Sequence, residues 1–98
     1  MVRELVLTPI AMSDLENAET WYESQQLGLG TRFSKCVTTK FTEIQSVPHH
    51  FPIQFDAVRI AVLKPFPYLI LFEVDNVRVT VLAVYHSHRD PQVWKQRS

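Results

Sequence analysis

The residues best suited to chemistry lie close together near the end of the chain, in His86-Ser87-His88-Arg89-Asp90-Pro91, followed shortly by Trp94. Histidine is the side chain whose ordinary pKa falls near neutrality, so His86 and His88 can each move a proton. Arg89 stands beside them, Arg78 precedes them on the same stretch, and Arg59 lies further upstream. An arginine offers a fixed charge and a planar fork of donors that suits a phosphate. Together these groups suffice in kind for metal-free RNA cleavage: His86 transfers the proton while Arg59, Arg78 and Arg89 neutralise the charged phosphorane. Plainer roles fit the same residues. Histidines at a strand end are often simply solvated, and Arg89-Asp90 with Pro91 can form a local ion pair and turn that orders the tail. Trp94 can pack the C-terminal segment, stack on a base, or anchor a protein interface. His86-x-His88 supplies two metal ligands with only Asp90 nearby, and His49-His50 are neighbours on a loop. Neither spacing makes a metal site unaided, so no metal or cofactor is expected.

Charge narrows the class of partner. The 98 residues carry ten basic and ten acidic side chains, a formal net charge of zero. Such a chain lacks the broad positive field from which nucleic-acid binders draw most of their affinity, so any contact with phosphate must use a local patch. The acids concentrate early (Asp14, Glu16, Glu19, Glu23), whereas Arg59, Lys64, Arg78, Arg89, Lys95 and Arg97 fall in the second half. One basic side is expected. The single cysteine, Cys36, cannot form an internal disulfide and reads as a small buried hydrophobe in a reducing, cytoplasmic protein. No apolar run approaches the roughly 20 residues of a membrane span, and Met1-Val2-Arg3-Glu4 lacks a secretory core. One domain over residues 1–98 is expected.

The elements that must position the histidines follow from periodicity. Leu5 and Leu7 alternate with Val6 in a short strand. Thr8-Pro9 then starts a helix, with Thr as cap and Pro where no donor is needed. Ala11, Leu15, Ala18, Trp21 and Tyr22 form its apolar stripe, and Gly28 is expected to stop it, with Gly30 a second permissive backbone position. Leu29, Phe33, Val37, Phe41 and Ile44 mark a second helix ended by Pro48, and the short link makes the pair an antiparallel hairpin. Val47 to Asp56, with its prolines and lack of period, reads as a connection. From Val58 the period becomes two. Strands are expected over 58–63, 68–74 and 77–85, with Asp75-Asn76 as a two-residue hairpin turn that tolerates positive φ. The last two strands are apolar on both faces and therefore central. The fold expected is α+β and two-layered: an N-terminal strand and a helical hairpin packed on an antiparallel β-sheet. If the pleat persists along the last strand, Arg78, Thr80, Leu82, Val84, His86 and His88 share one face, with Arg59 nearby.

Trp21-Tyr22-Glu23-x-Gln25, Gly28-Leu29-Gly30-x-x-Phe33, Phe66-Pro67-Tyr68 and Val84-x-His86-x-x-Arg89-Asp90-Pro91 resemble the RelE/ParE superfamily of type II toxins. The similarity spans nearly the whole chain and keeps the order of elements above. It implies a toxin held silent by a cognate antitoxin in a hetero-oligomer, and one of two targets. RelE-like members cleave mRNA on the ribosome, whereas ParE-like members inhibit DNA gyrase. RelE-like nucleases typically carry an arginine near the start of the strand that here begins at Tyr68, where this chain has Phe66-Pro67-Tyr68. Trp94 stands where a tyrosine hydroxyl belongs in that pattern, and an indole is neither acid nor base. With the neutral charge, the resemblance points to a ParE-like gyrase inhibitor contacting its target through Tyr68, His88 and Trp94. The alternative is a RelE-like endonuclease using His86, Arg59, Arg78 and Arg89.

Overall fold

Thr8 shows how local chemistry sets the first boundary. Its hydroxyl accepts the Ala11 N–H at 3.1 Å, and Pro9 occupies the first helical position. In the computed structural model, which describes residues 2–88, strand β1 (Glu4–Leu7) therefore passes directly into helix α1 (Pro9–Gln25). Helix α2 (Leu29–Ser46) follows, then a single 3-10 turn (Pro48–His50). Strands β2 (Ile53–Phe55), β3 (Val58–Leu63), β4 (Tyr68–Val74) and β5 (Arg78–His86) complete the domain.

The five strands form one sheet in the order β1-β5-β4-β3-β2. The meander from β2 to β5 is antiparallel, but β1 lies parallel to β5, Glu4 opposite Arg78 and Leu7 opposite Val81. The expected antiparallel sheet is thus mixed. A strand that enters before a helical hairpin and reaches the sheet's far side can run alongside the last strand instead of turning back on it. The two most apolar strands are central, as their two-sided pattern requires.

One face of the sheet carries the helices. Ala61 and Leu63 of β3, Tyr68, Ile70 and Phe72 of β4, and Val79, Val81 and Val84 of β5 meet Ala11, Ala18, Tyr22, Phe33, Val37, Phe41 and Ile44 in one core. The other face has a smaller apolar cluster of Val58, Leu71, Ala83 and Tyr85, flanked by Phe55, Ile60, Leu69 and Leu82. Along β3 the period of two places Ala61 and Leu63 on the helix side and Val58 and Ile60 on the other. Trp21, assigned to the packed stripe, is instead 55% exposed, and the inner contact falls to its neighbour Tyr22.

The link between the helices departs from the sequence expectation. Helix α1 ends at Gln25 with Gln26 as its cap, so Gly28 does not stop it. Gly28, at φ 88°, is instead the left-handed residue that opens α2. The Glu23 carboxylate reaches forward to accept both the Gly28 N–H (2.9 Å) and the Gly30 N–H (3.0 Å). A side chain of α1 thereby satisfies the orphan donors at the start of α2. Gly30 is needed for closeness and not for an unusual φ: a Cβ there would lie 2.7 Å from the Glu19 carbonyl oxygen.

Two further expectations are corrected in the sheet. The connection 47–56 contains the short strand β2, hidden by Pro52 and by a length too small to display a period. The β4–β5 loop is Asp75-Asn76-Val77, without positive φ. The Asp75 carboxylate accepts the N–H groups of Val77 (2.9 Å) and Arg78 (2.8 Å), and this side-chain turn replaces the backbone turn expected from Asp-Asn.

Candidate target-binding site

Strand β5 outruns β1. Past Val81 its free side would leave backbone groups unpaired, and α1 supplies the missing partners. The Thr8 hydroxyl donates to the Leu82 carbonyl (3.0 Å), and the Asp14 carboxylate accepts the Val84 N–H (2.9 Å). With its backbone held in this way, β5 extends rigidly to His86 at the end of the sheet.

There His86 lies opposite Tyr68, and the two rings meet edge to face with centroids 5.3 Å apart. Tyr68 is buried among Tyr22, Phe33 and Phe66, whose rings pack mostly edge to face at 4.8–6.1 Å. Phe66 and Pro67 belong to the turn before β4, and the Pro67 carbonyl accepts the Ser87 N–H at 2.7 Å. The Phe66-Pro67-Tyr68 motif is therefore the floor and side wall that hold His86. The His88 backbone N–H donates to Nδ1 of His86 at 3.1 Å, which leaves the hydrogen of the neutral ring on Nε2. The His88 ring is exposed, 5.4 Å from that of His86. Burial, followed by the proximity of Tyr68, pushes the Tyr22 phenol up, and burial alone raises Tyr85. These two phenols therefore stay neutral at physiological pH.

The arginines do not join this end. Arg59 pairs with Phe72, four residues along β4 from Tyr68, about 13 Å away at the rise of a strand. Its Nη1 donates to the Phe51 carbonyl at 2.7 Å, fastening the segment before β2. Arg78 opens β5 at the opposite end from His86 and faces Glu4, with 3.9 Å between charged atoms. A bulge explains the lost register: Leu71 pairs with Ala83 and Phe72 with Val81, leaving Leu82 over. The parity of β5 changes there, so Arg78 and Thr80 point away from the helices while Val84 and His86 point towards them. The single cationic and histidine-bearing face expected from an unbroken pleat is not formed. Tyr68, assigned to target contact, is only 4% exposed and acts as a support. Arg89, Asp90 and Trp94 lie outside the described residues.

Sequence reasoning also missed a second concentration of charge. Arg32, Lys35 and Lys40 line one side of α2, and Lys64 faces them from the end of β3. Their helical spacing was the available signal. Among the described residues no three His, Cys, Asp or Glu side chains gather as metal ligands, and no helix is long and apolar enough to cross a membrane.

A family model for the ParE toxin of the type II toxin–antitoxin system parDE matches residues 5–91, from β1 through the histidines. The chain belongs to the ParE toxin family. The toxin is also similar in structure to a chain from a chromosomal ParDE TA system of P. aeruginosa, with a TM-score of 0.74 and 19% identity over 87% of this chain and 96% of that one. At that identity the likeness concerns the fold: two helices on a five-stranded mixed sheet. No curated protein matches the sequence.

Proposed function

We propose that this toxin acts in the cytoplasm by binding DNA gyrase, and that a cognate antitoxin silences it in a hetero-oligomeric complex. The observation that carries this reading is the ParE match across residues 5–91. The dispersal of Arg59, Arg78 and His86 supports it, because a nuclease needs its proton-transfer group and phosphate partners within reach of one scissile bond. In this reading the sheet end bearing His86 and His88 contacts the target, with Tyr68 beneath as a rigid support and Trp94 as a further contact. No step of bond breaking is assigned to the toxin.

A supercoiling assay with purified gyrase tests the proposal. Micromolar toxin is expected to block supercoiling or trap the cleavage complex, and the antitoxin to relieve the effect. Unaltered supercoiling rules gyrase out as the target. Transcripts mapped after brief expression are expected to keep their ends intact, and cleavage within codons would restore the nuclease alternative.

A further inference from the structure

The side of the sheet turned away from the helices is apolar where a two-layer domain would meet water. An antiparallel sheet with one packed and one solvated face alternates apolar with polar side chains. Here Val58, Leu71, Ala83 and Tyr85 occupy the second face, and they are only 2–7% exposed although both helices pack on the first. Among the described residues no helix or further strand lies over them. Beside this cluster the face hollows into a pocket of about 370 Å³ floored by Leu71, Leu82 and Ala83. Ile10, 44% exposed, stands on one side of it and the β2–β3 turn at Asp56 on the other. Asp56 and Glu73 are its charged residues, both exposed, and no cation lines it. The ion pairs among the described residues, Lys40–Glu43 and Arg78–Glu4, use neither carboxylate.

We propose that the chain's own residues 89–98 fold back over this face, with Val93 and Trp94 covering the apolar cluster and Lys95 and Arg97 meeting Asp56 and Glu73. Reach, charge and composition favour this occupant. Strand β5 ends at His86, and Leu82 lies four residues back along it, about 13 Å at the rise of a strand. A reversal at Arg89-Asp90-Pro91 leaves the seven residues 92–98, about 23 Å when extended, which is enough to reach the pocket. Residues 89–98 carry Arg89, Lys95 and Arg97 against the single carboxylate of Asp90, a charge opposite to that of the pocket rim. Their two bulky apolar side chains are adjacent and directly precede the last two cations. A segment tethered at His88 also needs little affinity of its own, because a short link holds it at a high effective concentration. A second copy of the chain fits less well: across a two-fold axis it would bring Asp56 and Glu73 against their own duplicates. An indole laid flat covers the cluster with one ring face and keeps the other outward, so the docked Trp94 stays available to the target.

Methyl NMR on the full chain tests this. Nuclear Overhauser contacts are expected between the Trp94 indole and the methyl groups of Leu71 and Ala83. Trp94→Ala is expected to remove the ring-current shift of those methyls and to leave Val37 and Ile44, on the helix side, in place, which also shows that the variant is folded. Absence of these contacts in the wild type overturns the proposal whatever the variant does. Contacts found only between differently labelled molecules in a mixed sample overturn it too, in favour of a dimer interface. The pair Lys95→Glu, Arg97→Glu is expected to move the Leu71 and Ala83 signals towards their Trp94→Ala positions, and adding Asp56→Lys, Glu73→Lys to bring them back. Signals that move further away on the charge swap overturn the assigned pairing. None of these readouts involves gyrase or an antitoxin, so their failure leaves the toxin reading intact.

Discussion

Three carboxylates take the place of backbone partners that the chain cannot otherwise provide. Glu23 binds two N–H groups at the start of α2, Asp14 satisfies Val84 beyond the end of β1, and Asp75 closes the β4–β5 loop. Replacing Glu23 by Ala is expected to cost about 1 kcal/mol, the ordinary scale for a helix cap. Asp14→Ala leaves a partly buried N–H unpaired and is expected to cost roughly 1–3 kcal/mol, measured by denaturant midpoint. Asp75 carries a pH signature. Hydrogen bonds from Val77 and Arg78 hold its carboxyl below the usual carboxylate range. A folded-state pKa below the unfolded one means that the stabilisation is complete above the ordinary carboxylate pKa and is lost as pH falls through the folded value. The Tm difference between wild type and Asp75→Ala is therefore expected to be largest near neutrality and to shrink in acid. Legibility at this scale depended on distance along the chain. Thr8 could be recognised as a cap because its partner is three residues away, whereas Asp14 and Val84 are separated by 70 residues and share no pattern that a single sequence displays.

Among the elements, the helical hairpin sets the stability and β5 sets the aim. Phe33 is nearly fully buried and touches Tyr22, Phe66 and Tyr68, so Phe33→Ala is expected to cost about 3–5 kcal/mol, a large part of a small domain's stability. Gly30→Ala must push the helices apart and is expected to cost roughly 1–3 kcal/mol in the same melts. Both helices, β3 and the two central strands were legible because each repeats its period often enough to be counted. β2 has only three residues and a proline before it, and so shows no period. The bulge was invisible for a different reason. Nothing in Val81-Leu82-Ala83 requires an extra residue, since the Leu82 carbonyl is claimed by Thr8, a residue of another element. That one insertion put Arg78 and Thr80 on the face opposite Val84 and His86, while the length of the strands alone already kept Arg59 and Arg78 away from the histidines.

For the whole molecule, the histidine end of β5 and the basic groove between α2 and the end of β3 are distinct surfaces. His88 is exposed and its ring meets that of His86, so His88→Ala is expected to weaken the proposed gyrase inhibition at least tenfold without changing the melt. β5 sits between β1 and β4, with Glu4 waiting for Arg78 to arrive from 74 residues downstream. Until β5 has been made, β1 has no strand to pair with and the core lacks its central wall, so a nascent chain stalled or terminated in the β4–β5 loop yields no folded toxin. At synthesis rates of about 5–20 residues per second, the sheet therefore stays open for the several seconds in which residues 1–77 are made, and closes only once β5 follows. If a cognate antitoxin is made beside it, as proposed, that delay is the interval in which the inhibitor can already be at hand.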